Sequence, residues 1–150
     1  MRRIDKEIRE IADIEAIILQ AQVCHLAMSS GDSPYLVPLS FGYHAQKLYF
    51  HSARTGQKIS MLQENPRVCF SFSNEEGLER KPVACEWGIR YRSVIGTGCV
   101  RFVEEETEKV SALDVIMQHY APGKFTYSAS SLANTAVFVV EIETLSGKSS

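Results

Sequence analysis

The sequence predicts a mainly β chain, a small antiparallel barrel with helices flanking it. Three observations predict it. Six or seven β-type runs follow one another, several joined by short turns, and strands joined in that way pair antiparallel. Regular βαβ units are missing and no G-x-G-x-x-G follows a strand, which argues against a parallel dinucleotide-binding sheet. The run Tyr91–Val103 carries Gly96 and Gly98 inside it, as at a barrel corner or a close backbone approach.

The elements follow in order. Asp5–Ala12 reads as a short helix with Ile4, Ile8 and Ile11 on one side, and Asp13 as the cap of a second helix to about Gln22. In that second helix Ile14, Ile17, Ile18 and Ala21 keep the i, i+3, i+4, i+7 rule. Val23–Met28 and Tyr35–Tyr43 read as a hairpin around the turn Ser30-Gly31-Asp32-Ser33-Pro34. Pro38 has no N–H for a ladder, so it marks either an edge strand or a bulge that frees the backbone of Leu39 and Ser40 for a ligand. A polar turn, His44–Lys47, leads to a third strand, Leu48–Ser52. A short helix follows and ends at Asn65-Pro66, because the residue before proline is pushed out of the α region.

Arg67–Ser73 alternates Val68, Phe70 and Phe72 with polar or small residues, as a half-buried strand does. Asn74–Lys81 reads as a charged loop, and Pro82–Trp87 and Tyr91–Val103 as two further β-type runs. Glu104–Tyr120 is the longest helix, with an acidic first turn and a stripe of Val110, Leu113, Ile116, Met117 and Tyr120. Phe125–Asn134 is irregular, Ala136–Ile142 is a last strand, and the tail from Ser146 reads as frayed.

The length of 150 residues suits one domain. Sixteen Lys and Arg against eighteen Asp and Glu give a formal net charge of −2, so no global attraction for nucleic acid is expected. No apolar run is long enough to span a bilayer, and MRRIDKEIREI lacks the apolar core of a signal peptide. A cytoplasmic protein is the expectation. Cys24, Cys69, Cys85 and Cys99 are widely spaced without C-x-x-C, which points to buried free thiols rather than zinc or a disulfide framework.

The chemistry concentrates at the turn from Ser52 into the short helix. A helix start offers free N–H groups and the positive end of its dipole, which suits an anion. Around it stand the hydroxyls of Ser52 and Thr55, the flexible Gly56, and the cations Arg54 and Lys58, with Thr55 as the expected N-cap. The spacing is not that of a nucleotide P-loop. The cluster reads as a phosphate cradle or as an ordinary capped helix with solvated basic residues.

VPLSFGY (37–43), LYFHSARTGQK (48–58), NPRVCF (65–70) and YRSVIGTGCV (91–100), in that order, resemble the FMN-binding split-barrel superfamily, the pyridoxamine-phosphate-oxidase-like proteins. More narrowly they resemble its 5-nitroimidazole-resistance branch, in register from about Met1 to Lys148. The resemblance implies an antiparallel split β-barrel, acting as a homodimer with FMN, or alternatively FAD, at the interface. It implies that the turn Ser52, Ala53, Arg54, Thr55, Gln57 and Lys58 holds the flavin phosphate. It further implies that Val37, Pro38, Leu39 and Ser40 run along the flavin ring edge, with Phe50 and His51 beside it. Arg92 and Ser93 match positions that reach the cofactor, often from the partner subunit, with Trp87 and Tyr91 as lining residues. His51 matches a histidine beside the flavin, either a catalytic or substrate-placing group or a packing residue. An imidazole titrates near neutral pH and can hand a proton to a substrate undergoing reduction.

Two departures from the family pattern stand out. Gln57 occupies a place where the family often has arginine, so one phosphate-binding charge is replaced by an amide. The chain also ends soon after Ala136–Ile142, without the C-terminal Arg- and His-bearing segment of true pyridoxamine phosphate oxidases, which disfavours vitamin B6 oxidation. The implied function is a flavin-dependent oxidoreductase. It would take electrons from a donor such as a nicotinamide nucleotide and pass them to a small planar acceptor such as a nitroaromatic. The competing readings are a non-enzymatic flavin or small-ligand carrier or sensor, and a cofactor-free structural domain.

Overall fold

The computed structural model describes residues 4–150, and of Ile4 the backbone alone. The strands are β1 (Glu7–Ile8), β2 (Cys24–Ser30), β3 (Ser33–Leu39), β4 (Gly42–His44), β5 (Lys47–Ala53), β6 (Arg67–Glu79), β7 (Gly88–Val103) and β8 (Thr135–Ser149). The helices are α1 (Ile11–Gln20), α2 (Gln57–Glu64), α3 (Glu106–Tyr120) and α4 (Ala129–Asn134). All eight strands share one antiparallel sheet in the order β3-β2-β6-β7-β8-β5-β4, with β1 added to the far end of β8. The sheet curls without joining β3 to β4, so the architecture is the split antiparallel barrel that the sequence predicts.

Strand alternation sorts the side chains into two cores. Leu26, Leu48, Phe50, Phe70, Phe72, Val94, Phe138 and Val140 point inward, where Ile14, Ile17 and Ile18 of α1 and Leu62 of α2 close the interior. The opposite face of β5 and β8 forms a second core, where Val103, Val137 and Val139 meet Ala112, Leu113 and Ile116 of α3 and Leu132 of α4. Gly96 and Gly98 behave as expected: a Cβ at Gly96 would run into the Phe70 ring, and one at Gly98 into the Glu141 carbonyl. Backbones meet at the corner because neither residue has a side chain.

Several elements differ from the sequence expectation. Asp5–Ala12 is not a helix: Ile4–Lys6 is a 3-10 turn, and Glu7 and Ile8 pair with Lys148 and Gly147. Pairing with β8 satisfies the backbone there and leaves Ile8 packed on the core. The helix α1 starts at Ile11, with Glu10 as its N-cap and Asp13 inside its first turn. Pro38 lies on an edge strand, the first of its two readings, since β3 is terminal in the sheet. The predicted strand Tyr35–Tyr43 breaks at Ser40 and Phe41, so that β3 pairs with β2 and β4 with β5.

Asn74–Lys81 is mostly strand rather than loop, because β7 pairs with it as far as Glu79 around an irregularity between Glu75 and Gly77. Pro82–Trp87 is a turn with a 3-10 segment at Ala84–Glu86. The irregular stretch contains α4, capped by Ser128, whose Oγ accepts from Ser131 N–H. The tail is not frayed, since Ser146 to Ser149 pair with β7. The stripe of α3 is rotated: Lys109, Ala112, Leu113 and Ile116 are buried, while Tyr120 is exposed enough to place its hydroxyl between Phe41 N–H and Gln22 O. Of the cysteines Cys24 alone is buried, and Cys69 and Cys85 are exposed, because Cys69 points off the outer sheet face and Cys85 sits in the turn before β7.

Candidate functional site

The helix α2 begins on a glycine. Gly56 is its N-cap, with φ 119° and ψ 170°, a conformation that side-chain-bearing residues avoid. Thr55 is therefore not the cap, and no side chain bonds the first turn. The first intrahelical bond runs from Ser60 N–H to Gly56 O at 3.1 Å. The amides of Gln57, Lys58 and Ile59 are left at the open end, as at any helix start. Asn65-Pro66 closes the other end as expected, with Asn65 N–H bonded to Met61 O at 2.8 Å.

Basic and hydroxyl groups surround that open end. Arg54 and Thr55 are exposed, and Lys58 is partly buried. Arg54 Nη1 donates to Ala133 O at 2.8 Å, which holds the guanidinium against the end of α4. Ser52 Oγ donates to Ala53 O at 2.9 Å. Burial lowers the Lys58 pKa, so part of its solvation is already lost before any anion arrives. An anion at this end would restore favourable partners to the amides and to the ammonium together.

His51 is two residues before the end of β5, paired with Val137 and on the same strand face as Tyr49. Its pKa is lowered, first by desolvation and second by the Lys58 charge, so the ring is neutral at pH 7. Phe50 points the other way, fully buried and stacked on Phe138 at 5.3 Å between ring centroids. The backbone Val37–Ser40 runs along the open edge of β3 and then enters β4, where Gly42 pairs with Tyr49. The structure places His51, Ser52, Ala53, Arg54, Thr55, Gln57 and Lys58 in succession from the end of β5 into α2, Phe50 in the core behind them, and Val37, Pro38, Leu39 and Ser40 on edge strand β3 and its link to β4.

It does not bring Trp87, Tyr91, Arg92 and Ser93 to the same place. Ser52 pairs with Ala136 near the start of β8, and Arg92 pairs with Ser149 at its end. Those two partners are thirteen residues apart along β8, a contour of about 40 Å at the usual rise of a strand. Arg54 and Arg92 line different cavities. Arg92 binds Glu76 at 2.6 Å and Gln20 at 3.3 Å, beside an open cavity of about 560 Å³ that also takes in His25 and Asn74. Trp87 Nε1 donates to Lys81 O at 2.7 Å, and the Arg80 guanidinium lies 5.8 Å from the ring centroid.

One group near the turn escapes sequence reasoning. Lys109 is 7% exposed, and it lines a cavity of about 60 Å³ together with Arg54, Ile59, Gln63 and Glu104. The signal was present: 109, 112, 113 and 116 form an i, i+3, i+4, i+7 stripe with lysine at its head.

Comparison with known proteins gives these arrangements a family. The family model for pyridoxamine 5'-phosphate oxidase matches residues 10–149. The chain superposes on the crystal structure of a candidate 5-nitroimidazole antibiotic resistance protein from Bacteroides thetaiotaomicron VPI-5482. The TM-score is 0.86 at 39% identity, over 95% of this chain and 86% of that one. The fold also matches the flavocytochrome Anf3 from Azotobacter vinelandii, with TM-score 0.89, 21% identity and coverage of 100% of this chain and 72% of that one. It matches the FAD and heme binding protein from Mycobacterium smegmatis at TM-score 0.89 and 20% identity, over 97% and 73% of the two chains. A curated relative, an uncharacterized protein of Rhizobium meliloti (strain 1021), is 30% identical over 56 residues. That match spans 36% of the relative's length and 37% of this chain. With nearly its whole length matched, the chain belongs to the pyridoxamine 5'-phosphate oxidase family.

Proposed function

We propose that the protein is a flavin-dependent oxidoreductase that reduces small planar acceptors, nitroaromatic compounds such as nitroimidazoles among them. The observation that carries this reading is the open, glycine-capped start of α2, with Arg54 and Lys58 beside it. It fits a phosphate monoester: three free amides, two cations and two hydroxyls, with no carboxylate in Ser52–Ile59. The 39% identity to a candidate nitroimidazole resistance protein supports the acceptor class. The flavin is FMN in this reading, with FAD as the alternative.

When bound, the flavin would supply the redox chemistry. Lys58, Arg54 and the α2 amides would hold its phosphate. The edge backbone of Val37–Ser40 would orient its ring. His51, mainly neutral at pH 7, would present an N–H or a lone pair to the acceptor, and it becomes the stronger proton donor only below its own lowered pKa.

The active species in this reading is a homodimer. Two features support it. Arg54 and Arg92 line different cavities of the chain, so a flavin that meets both the Ser52–Lys58 turn and Arg92, as the family resemblance implies, would draw them from two copies. The outer face of β2, β3, β6 and β7 is also uncovered, with Leu36 60% and Ile95 55% exposed among small residues such as Ala27 and Ser71. Each of two symmetric sites would then take its cradle from one chain and Trp87, Tyr91, Arg92 and Ser93 from the other.

The test is the visible spectrum of gently purified protein, with the released chromophore identified by mass. FMN or FAD is the expected result, followed by oxidation of NAD(P)H in the presence of a nitroimidazole. A colourless protein that also fails to take up added FMN and FAD would overturn the reading. Flavin binding without turnover would leave a carrier or sensor.

A further inference from the structure

The phosphate cradle has a back wall, and a buried lysine holds it. Lys109 reaches from α3 to the carboxyl end of α4, where Nζ donates to Leu132 O at 3.3 Å and to Thr135 O at 3.1 Å. Between those two residues lies Ala133, whose carbonyl accepts Arg54 Nη1 at 2.8 Å. Two cations thus gather three carbonyls at one helix end, where the dipole is negative. One cation is buried at 7% exposure and the other is exposed on the turn that leads into α2. Both line the same cavity of about 60 Å³ under α2.

Burying an ammonium is costly unless its donors are met. Lys109 has no carboxylate within ion-pair distance among the described residues, and both of its partners are neutral carbonyls. A leucine or methionine would fill a buried α3 position without that cost. What the lysine adds is a fixed position for the α4 end, and hence for the Ala133 carbonyl. An exposed arginine on a turn otherwise samples many rotamers, and an anchored one meets an anion with less ordering to do. The buried charge also adds an attractive potential behind the turn, weakly screened because it is out of solvent.

We infer that Lys109 is a positioning residue for the phosphate of the bound cofactor, acting through α4 on Arg54. This rests on the flavin reading above. It assigns to the Lys109–α4–Arg54 relay the discrimination between a phosphorylated flavin and its unphosphorylated parent, riboflavin. The third ammonium N–H of Lys109 has no bond among the described residues and is available to the cavity.

The experiment compares affinities for FMN and riboflavin in the parent, Lys109→Met, Lys109→Arg and Arg54→Gln proteins. Lys109→Met is expected to weaken FMN on the order of tenfold, the scale of one charge-assisted bond, while riboflavin changes less than about twofold. Lys109→Arg keeps the preference for FMN. Lys109→Met added to Arg54→Gln costs little more than Arg54→Gln alone, as expected for two residues in one relay. A purely structural lysine predicts lower thermal stability with an unchanged FMN-to-riboflavin ratio, and that result overturns the inference.

Should Lys109→Met fail to fold, hydrogen exchange in the parent decides. FMN must slow exchange in 129–135 more than riboflavin does, and equal protection by both ligands overturns the relay. If the parent binds neither flavin, the function reading falls and takes the relay with it. If it binds both and Lys109 leaves their ratio alone, the relay alone falls.

Discussion

Two parts of the outer sheet face differ in what covers them. Over β5, the first half of β8 and the end of β7, helices α3 and α4 bury Val103, Val137 and Val139. Over β2, β3, β6 and the first half of β7 no helix among the described residues lies on the outward residues, and Leu36, Cys69 and Ile95 are exposed. The same long strand, β8, contributes to both parts: Val137 and Val139 are buried, and Thr144 and Ser146 are exposed. A register shift between Thr97 and Gly98 moves the outward positions of β8 from odd to even numbers, and alternation holds on either side of it. Alternation therefore tells which residues face outward, and composition tells which of those are covered.

The comparison breaks most visibly at the covered end. Ile116→Ala removes a side chain that is 2% exposed from beneath α3, and a loss of about 2–4 kcal/mol is expected, read from the urea midpoint. An equivalent cut on the bare face should barely register in a dilute chain. Ile95→Ala is expected to stay within about 0.5 kcal/mol of the parent. Equal losses at both positions would mean that the bare face is covered in solution even when the chain is dilute.

A charge on the bare face sharpens the contrast. With the proposed flavin-bound dimer formed through this face, Ile95→Arg is expected to leave the circular dichroism spectrum unchanged, to shift sedimentation from dimer to monomer, and to lose flavin together with the dimer. A variant that stays dimeric and yellow would remove this face from the interface. On that face Ile95 pairs with Ser71 and Ser146, and His25 lies beyond Ser71, so the residues directly across the sheet offer a guanidinium no carboxylate.

Within the cradle, the expected effect is smaller and confined to binding. Lys58→Ala should weaken FMN on the order of tenfold through loss of a charge-assisted bond, with the deficit shrinking as salt rises. Titration by flavin fluorescence reads it. Affinity equal to the parent's at moderate salt would place the phosphate elsewhere.

The inward residues of the sheet and the α1 stripe were legible because period and residue type agree: Phe70 and Phe72 alternate, and Ile14, Ile17 and Ile18 share one face. The start of α2 among basic and hydroxyl residues was legible in composition and misread in detail. Thr55 looked like a cap because threonine is a good one, but Gly56 takes that place through a backbone conformation that composition does not announce. The hairpin extension of β6 was read as a loop because its residues are charged, yet pairing with β7 supplies its backbone bonds whatever its side chains. Lys109 was passed over because lysine is normally surface, and only the fold shows which carbonyls it meets.

The smallest effect is a shift in proton affinity at His51. Its folded pKa lies below the ordinary 6.5, first through burial and then through the Lys58 charge. As pH falls through 6.5, the unfolded chain takes up a proton that the folded chain refuses, so this histidine subtracts stability on the acid side. The loss levels off below the folded pKa, and the contribution of His51 to the pH slope fades as pH rises well above 6.5. Lys58→Met removes the second cause and should move the His51 titration up towards its ordinary value, with a shallower acid-side loss. A phosphate on Lys58 should act in the same direction, because it neutralises the same charge. Saturation with FMN is thus expected to raise the His51 pKa more than riboflavin does, which proton NMR of the imidazole resolves. If Lys58→Met leaves the titration where it was, burial alone sets the histidine, and the ring and the phosphate turn are not electrically coupled.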